Sequence, residues 1–516
     1  MKKILTYAFA VLAASAVISS CDLDVFPRGS LSYDEDMVLF KDTKELGYLA
    51  NGLYGSFRGN FYGEYAQTEE VMFDGFNATA DYGNNYGGPH RLDNNFNASN
   101  YEIRDFWASR YSSIKNYNIV IRGVDNLPEE YENLRKDAEL VKGEALFFRA
   151  FAYLDLIRHY AKNYEAATAA TELGVPLVLV YNQTEKPSRA TVKEVYDQIK
   201  TDLDGASERL SGVSGKVASG KVTIDAVNAL YARYFLDVKD YAQAASYAKK
   251  VIDSAAGYAL SATMDDFKKE YYTDEGKEAI MMLYASQTEN GSGTNSMYTS
   301  MASDSEHGRY FSSPYYLPSQ KLLDLYDETD LRLQGWFTKG ENAFTGETYP
   351  VKLVSDFYTD EFYVFTKYLG NPGLTSSNVL NARQHVKPLL IGEMYLIAAE
   401  AEFRGGNASG ALTTLNKLQE ARGAQKNVTV NEDILANEWF KETVGEGLRL
   451  STIRRFGKGY SGRAAQPRAL ALTLLMTGSE YEGKSVLPTD NRLVWPIPSN
   501  EIQTNPNIAS QQNPGY

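Results

Sequence analysis

Apolar residues recur every three or four positions along much of the chain, which is the spacing of one face of an α-helix. The longest stripe lies between residues 133 and 160, and a shorter one lies between residues 103 and 121. The longer stripe consists of Leu134, Ala138, Val141, Ala145, Phe148, Ala152 and Leu156. The shorter stripe includes Asn118. Because a buried amide needs hydrogen-bond partners, we expect Asn118 to link helices rather than to contact a ligand.

Pairs of helices joined by tight turns are predicted at two further places. Residues 223–238 and 241–251 form one pair, and residues 388–404 and 411–418 form another. Thr191 and Glu194 have the spacing of a capping box, which predicts a helix from this point through Leu203. Alanine-rich pairs of this kind resemble tetratricopeptide hairpins, although their spacing is irregular. We therefore predict a mostly α-helical fold, with tetratricopeptide-like helical hairpins, long irregular loops and a few short strands.

Three segments interrupt the helical pattern and are rich in aromatic residues, with glycine and asparagine prominent in the first two. They span residues 73–100, 286–318 and 336–368, and alternation in the third predicts short strands. Long loops of this kind in a compact protein are typically functional. Aromatic faces there could stack on a sugar ring, while amides and guanidinium groups donate hydrogen bonds to its hydroxyls. The candidate ligand-binding residues are Tyr82, Asn84, Asn85, Tyr86, His90, Arg91, Tyr298, Tyr310 and Trp336.

The N-terminus has the composition of a secretory signal. Lys2 and Lys3 precede an apolar run that is too short to span a bilayer, and small residues then lead to Cys21. This pattern predicts a signal peptide over residues 1–20 and resembles the lipobox of bacterial lipoproteins. Cys21 is the only cysteine in 516 residues, so it cannot form a disulfide within the chain. We expect Cys21 to carry the lipid anchor, with palmitate among its acyl chains.

The net charge of the chain argues against two classes of ligand. The formal charge is −14, and removal of residues 1–20 would take away two lysines and no acid. Nucleic acid and anionic lipid headgroups both require a basic surface, so neither is an expected ligand. No other apolar stretch approaches the ~20 residues of a membrane helix. We expect a water-compatible body that is held at a membrane only by its acylated end.

Motifs for catalysis and metal binding are missing from the sequence. The four histidines lack metal-ligand spacing, and no HExxH, CxxC or GxSxG motif occurs. The segment from Asp93 begins like a calcium loop, but Arg104 stands where an EF-hand needs glutamate. We therefore predict no catalytic residue, no metal ligand and no cofactor. A structural calcium site of another kind is left as an open alternative, although no motif supports it.

The C-terminal third carries distinctive blocks of sequence. A helix pair over residues 389–423 is followed by Glu446-Gly-Leu-Arg449 and Ile453-Arg-Arg-Phe456. The chain ends in Val494-Trp-Pro-Ile-Pro498 and Gln512-Asn-Pro-Gly-Tyr516. These blocks, together with Trp107 to Ile114 and the stretch around Phe148, resemble the RagB/SusD family across the mature chain. The closing prolines force an extended path, so we expect Trp495 to pack that path against the helices.

This resemblance implies a surface-exposed lipoprotein of the outer membrane of Bacteroidota that takes part in polysaccharide utilisation. Members of the family capture oligosaccharide and pass it to a SusC-like, TonB-dependent barrel, and they are not enzymes. The implied organisation is an N-terminal region over residues 21–215 and a C-terminal region over residues 216–516, packed as one unit. A peptide- or protein-binding module is the alternative function, and a surface glycosidase is a more distant one.

Overall fold

The computed structural model describes residues 37–61, 64–289, 301–304, 309–375, 382–466 and 470–516. Tyr298 and Cys21 lie outside these residues. Within the described residues, Phe40–Tyr516 group as one compact unit.

Helices, with the short 3₁₀ turns included, account for about 47% of the described residues, and the strands there are few and short, as predicted. The helices of the first half are α1 (Thr43–Gly59), α2 (Glu64–Met72), α3 (Gly87–Arg91), α4 (Tyr101–Asp125), α5 (Arg135–Tyr160), α6 (Val192–Leu210), α7 (Ile224–Asp237), α8 (Tyr241–Ile252) and α9 (Met264–Tyr271). The later helices are α10 (Gln320–Leu323), α11 (Leu331–Trp336), α12 (Ile391–Arg404), α13 (Ala408–Ala421), α14 (Glu432–Thr443), α15 (Arg449–Arg455), α16 (Ala471–Leu474) and α17 (Ser499–Thr504). Short 3₁₀ turns are Glu129–Leu134, Pro372–Leu374 and Asn491–Leu493.

The long helices follow the apolar stripes of the sequence. Helices α4 and α5 lie where the two stripes predicted them, and the capping box of Thr191 and Glu194 opens α6. Helix α7 pairs with α8, and α12 pairs with α13, each across a turn of three residues. Gly406 has φ +86° in the second turn, a backbone conformation that favours glycine. The predicted helical hairpins are therefore confirmed.

Asn118 links helices as expected. Its Nδ2 donates to the carbonyl oxygen of Val178 at 2.7 Å, and its Oδ1 accepts from Arg149 Nη1 at 2.8 Å. Arg149 also holds both carboxylate oxygens of Asp202, at 2.6 and 2.8 Å. This hydrogen-bonded chain joins α4, α5 and α6 and satisfies polar groups that the helices bury.

Strands lie mainly between α9 and α12, with three earlier in the chain and two near its C-terminus among the described residues. They are β1 (Phe76–Ala78), β2 (Leu173–Pro176), β3 (Arg189–Thr191), β4 (Ala279–Met281), β5 (Met301–Asp304), β6 (Arg309–Ser312), β7 (Tyr316–Pro318), β8 (Phe337–Thr338), β9 (Val351–Leu353), β10 (Asp356–Tyr358), β11 (Val364–Phe365), β12 (Leu389–Leu390), β13 (Tyr460–Ser461) and β14 (Ser485–Val486). Four of them form one sheet in the order β10-β9-β6-β5, in which only the β6–β9 pair is parallel. Strands β8 to β11 confirm the predicted short strands of residues 336–368.

Buried ion pairs link the C-terminal helices to the segment before β4. Arg422 is fully buried, and its guanidinium holds the carboxylates of Glu278 and Glu442. Arg332, also fully buried, reaches Glu442 at 2.8 Å and Asp330 at 2.8 Å. Each charge in this network faces an opposite charge, which offsets the cost of removing it from water.

The C-terminal tail packs along the helices as the prolines predicted. Trp495 is fully buried, and its backbone N–H donates to the carbonyl oxygen of His159 at 2.8 Å. Asn513 Nδ2 donates to the carbonyl oxygens of Tyr160 and Trp495 at 2.8 and 2.7 Å. Among the described helices, none combines the length and the apolar character needed to cross a membrane.

Candidate ligand-binding site

The irregular segments around β1 and β7 meet the segment before β14 at one surface. The N–H of Ala80 donates to the carbonyl oxygen of Leu474 at 2.8 Å, and the N–H of Met476 donates to that of Ala78 at 2.9 Å. The N–H of Thr79 reaches across to the carbonyl oxygen of Tyr315 at 2.9 Å. Backbone bonds of this kind fix loops that are far apart in the sequence, so their exposed side chains can form one surface.

Four side chains form what we call the tyrosine–arginine cluster: Tyr82, Asn84, Arg91 and Tyr481. Arg91 Nη1 lies 2.7 Å from the Tyr82 hydroxyl, 2.8 Å from Asn84 Oδ1 and 3.4 Å from the Tyr481 hydroxyl. The guanidinium also lies 5.6 Å from the centroid of the Tyr481 ring. Asn84 is exposed and Tyr481 is half-buried, so the cluster presents an amide and a phenol to solvent.

Charge and burial fix the protonation of this cluster. Burial raises the pKa of Tyr82 to about 12, with a further contribution from its hydrogen bond to Tyr481, so the phenol keeps its proton. Burial opposes ionisation of Asp93, but the hydrogen bond from Arg91 Nε, at 2.7 Å, outweighs it and lowers the pKa of Asp93. Asp93 is therefore an anion that orients Arg91.

The loop that carries the cluster has an uncommon backbone. Gly83, Asn84 and Tyr86 have φ of +59°, +61° and +53°. Asparagine adopts this left-handed conformation with little strain, whereas the same conformation costs a tyrosine about 1–2 kcal/mol. Such conformations persist where surrounding contacts enforce them, and they concentrate at functional sites.

The four-stranded sheet contributes a second surface, which we call the sheet platform: Phe311, Lys352 and Phe357. Lys352 on β9 stands opposite Phe357 on β10, and the rings of Phe311 and Phe357 meet edge to face with centroids 5.5 Å apart. Phe357 is 37% exposed, and the other two side chains are half-buried. Val351 and Leu353 point to the opposite, buried face, as alternation along a strand requires.

The tip of the β9–β10 hairpin joins the two surfaces. Val354 and Ser355 have φ of +51° and +75°, the pattern of a two-residue type I′ turn. A β-branched residue is strained in this conformation, and the N–H of Val354 donates to Asp81 Oδ2 at 2.7 Å. Asp81 lies one residue before Tyr82, so this hydrogen bond ties the hairpin of the sheet platform to the loop that carries the tyrosine–arginine cluster.

A fully buried arginine lies behind the cluster. Arg463 donates to the carbonyl oxygens of Phe73, His90 and Tyr481 at 2.8, 2.6 and 2.6 Å. It also reaches the carbonyl oxygen of Met72 at 3.2 Å. One side chain thus satisfies buried carbonyl groups in three separate segments of the site.

The structure brings together three of the nine candidate residues, Tyr82, Asn84 and Arg91. Asn85 donates from Nδ2 to the carbonyl oxygen of Tyr82 at 2.6 Å, and Tyr86 is only 8% exposed. Both therefore shape the loop from within: the half-buried Asn85 through this hydrogen bond, and Tyr86 through its burial.

The remaining candidates lie apart from the exposed surface or outside the described residues. His90 and Trp336 are fully buried; His90 Nδ1 lies 2.8 Å from the carbonyl oxygen of Val71, and Lys367 Nζ lies 3.8 Å from the Trp336 ring centroid. A ligand could reach neither ring in this structure. Tyr310 is half-buried on the sheet face opposite to Phe311, and Tyr298 is not described.

Lys352, Phe357 and Tyr481 were missed by the sequence reasoning. The alternation Val351-Lys-Leu353 signals a strand with one exposed face, and that signal could have identified Lys352. The turn that follows has Val354-Ser355 in place of an Asn-Gly pair, so nothing marked the hairpin that places Phe357 opposite Lys352. The approach of Tyr481 to Arg91 spans 390 residues and has no local signal.

The calcium-like segment folds as a turn closed by its own groups. Asp93 Oδ1 accepts from the N–H of Asn95 at 2.8 Å, and Asp93 Oδ2 accepts from Arg91. Among the described residues, no group of three or more histidine, cysteine, aspartate or glutamate side chains is placed to hold a metal ion. The absence of a metal ligand stays a prediction from the sequence.

A separate cleft lies between α2, α12 and the loop before α15. It encloses about 70 Å³, and its lining combines apolar and aromatic side chains with four charged ones, those of Arg233, Lys387, Glu393 and Glu446. Arg233 holds Glu393 at 2.6 Å, and Lys387 holds Asp274 at 2.8 Å. These ion pairs engage charged side chains of the cleft. The tyrosine–arginine cluster and the sheet platform therefore remain the better candidates for a ligand site.

Comparison with known proteins identifies the family. A family profile described as "SusD family" matches residues 277–516, and one described as "Starch-binding associating with outer membrane" matches residues 49–236. The chain belongs to the SusD/RagB family. The tyrosine–arginine cluster draws residues from both matched regions, and the sheet platform lies within the SusD region.

Relatives in the SusD/RagB family extend over the whole chain. The SusD-like protein P38 of Formosa agariphila is 24% identical over 579 aligned residues, covering 100% of both chains. The structure of a putative sugar binding protein from Bacteroides vulgatus superposes with a TM-score of 0.72 at 23% identity, covering 93% of this chain and 100% of that one. A laminarin binding SusD-like protein superposes with a TM-score of 0.67 at 20% identity, covering 92% and 100%. These structures share the fold.

Proposed function

We propose that this protein binds oligosaccharide with the sheet platform and the tyrosine–arginine cluster and delivers it to a SusC-like, TonB-dependent transporter in the outer membrane. The observation that carries the proposal is an exposed aromatic face beside an exposed amide and a phenol. Sugar rings have apolar faces and polar edges, so they suit this combination. The family description "starch-binding" and the laminarin binding neighbour support a saccharide ligand.

Each part of the site has its own role in the proposal. The rings of Phe311 and Phe357 stack against the apolar face of a sugar residue. Asn84 and the Tyr481 hydroxyl exchange hydrogen bonds with hydroxyl groups at the edge of the ligand. Arg91 holds both of these groups and is itself held by Asp93, so the hydrogen-bonding edge is positioned before ligand arrives.

We propose binding without catalysis. A glycosidase needs a carboxylic acid whose pKa is raised so that it can protonate the leaving group. Asp93, the carboxylate that holds Arg91 in the cluster, has a lowered pKa and already accepts hydrogen bonds from Arg91 and Asn95. That arrangement suits a positioning role.

The binding proposal is tested with purified mature protein on an array of neutral and charged oligosaccharides, followed by calorimetry with the best ligand. Tyr481→Ala should weaken binding about tenfold, because it removes a hydroxyl partner of Arg91 and the ring below the guanidinium. Tyr48→Ala is the matched control, since Tyr48 is 61% exposed on α1. Equal affinities of the Tyr481 variant and the wild type would exclude this surface.

The same preparations separate the alternative functions. A peptide- or protein-binding module would bind protein ligands while the saccharide array stays silent. A glycosidase would release reducing ends from the array ligands on prolonged incubation. Either result would replace the proposal, because it requires a bound saccharide that is recovered intact.

The location is part of the proposal and rests on the sequence around Cys21. Metabolic labelling of cells with an alkyne analogue of palmitate should mark the wild-type protein and leave Cys21→Ser unlabelled. Protease added to intact cells should digest the wild type if it is exposed at the surface. Co-purification of a β-barrel transporter from detergent-solubilised outer membranes tests the partner.

A further inference from the structure

The sheet platform places one cation among its rings. Lys352 Nζ lies 5.7 Å from the ring centroid of Phe311 and 5.8 Å from that of Phe357. Across the part of the chain that the structure describes, Lys352 forms no ion pair with a carboxylate. Its ammonium group is therefore held beside the two rings by cation–π attraction and keeps its hydrogen-bonding capacity for another partner.

Three acids among the described residues near the hairpin either accept backbone hydrogen bonds or lie on the other face of the sheet. Asp81 Oδ2 accepts the N–H of Val354 at 2.7 Å. Asp356 stands opposite Leu353 in the strand register, and Leu353 points to the buried face, so Asp356 does not share the face of Lys352. Glu361, after the hairpin, accepts from the N–H groups of residues 359 and 360. Lys352 is thus a cation without an ion-pair partner among the described residues, on a chain whose formal charge is −14.

We infer that the ligand of this site is an anionic oligosaccharide, in which a carboxylate or sulfate group pairs with Lys352 while the sugar ring stacks on Phe357. This inference rests on the proposed function and specifies its ligand class. The ammonium group and the ring lie on the same exposed face, so one sugar residue can contact both. The lysine ammonium group is a compact point charge without the planar fork of arginine, so it can pair with a carboxylate or a sulfate.

The experiment uses the mature full-length chain and two matched pairs of probes. One pair is a hexameric oligogalacturonate and its methyl ester, in which a methyl group replaces the charge of each carboxylate. The other is a sulfated galactan oligosaccharide and its desulfated form. These pairs are added to the array of neutral oligosaccharides, and affinities are measured at low and high NaCl for the wild type, K352M and K352R. Lys250→Met is the control, because Lys250 lies 3.9 Å from the Tyr247 ring on α8.

We expect the tightest ligand to be anionic and to bind about fivefold more weakly to K352M. K352R should stay within about twofold of the wild type, K250M should be unchanged, and added salt should weaken the wild type more than K352M. The probe that binds more tightly, the oligogalacturonate or the sulfated galactan, identifies the anionic group of the ligand as a carboxylate or a sulfate.

Two results would overturn the inference in different ways. If a neutral oligosaccharide binds best and K352M binds it as tightly as the wild type, the ligand class is wrong while the proposed function stands. If the wild type binds no saccharide on the array, both are wrong. Lys352 is half-buried on a sheet surface, so its variants should fold, and their melting temperatures confirm this before binding is compared.

Discussion

Replacing Phe357 by alanine tests how much the sheet platform contributes to binding. A phenylalanine side chain has roughly 200 Å² of accessible surface, and Phe357 is 37% exposed, which leaves about 75 Å² for a ligand to cover. At ~25 cal/mol per Å², complete coverage would contribute about 2 kcal/mol. A stacked sugar covers only one face of the ring, so we expect a loss of about 1 kcal/mol, or roughly a fivefold rise in Kd.

Calorimetry with the best array ligand measures this change for F357A, F357L and Y48A. Leucine keeps apolar area without a flat ring, so F357L should lie between F357A and the wild type. The free energy of unfolding of F357A should fall by about 1 kcal/mol, since the variant loses its edge-to-face contact with Phe311. If F357A folds and binds with the affinity of the wild type, the ring does not contact ligand and the reasoning is refuted.

Three further predictions concern the buried ion pairs of Arg422 and the hydrogen bond between Asp81 and the hairpin. Arg422→Met should lower the free energy of unfolding in guanidinium chloride by about 3–5 kcal/mol, because Glu278 would stay buried without its cation and Glu442 would keep only Arg332. Burial alone would raise the pKa of Glu442, but Arg422 lowers it to about 2 from a usual 4.5. The stabilisation that ionised Glu442 contributes is therefore complete above about pH 4.5 and is lost as the pH falls towards 2, so the melting temperature of the wild type should fall across that window. Asp81→Ala removes the acceptor of the Val354 N–H and should weaken ligand binding more than it changes the melting temperature; the opposite result would contradict the link between cluster and platform.

Helices were predictable because their signals are local. The stripe in α5 and the capping box of α6 each need fewer than thirty residues of sequence, and Asn118 could be read from its place on a stripe. A buried amide needs hydrogen-bond partners, and this need can be predicted without knowing which groups will meet it. The partners themselves, Arg149 and the carbonyl group of Val178, could not be predicted, since that contact depends on how helices pack.

The candidate site was only partly predictable, because composition marks a loop without telling which side chains face solvent. Tyr82, Asn84 and Arg91 meet as a cluster, yet His90 lies between two of them in the sequence and is fully buried. A short helix, α3, turns His90 towards the core and leaves Arg91 at the cluster. Trp336 shows the same limit, since a large aromatic ring serves a core as readily as a ligand face.

Arg463 explains how segments with little regular structure can hold a binding surface. Loops bury carbonyl groups that no helix or strand satisfies, and each such group costs free energy unless it finds a donor. The guanidinium has five donor N–H groups in a fixed plane, and here they reach carbonyl oxygens before, within and far after the cluster loop. Burial lowers the pKa of Arg463, which fits a cation whose nearest partners are dipoles. Because Arg463 follows α15 while its partners Phe73 and His90 precede α4, the candidate surface can form only when these two distant parts of the chain have packed together.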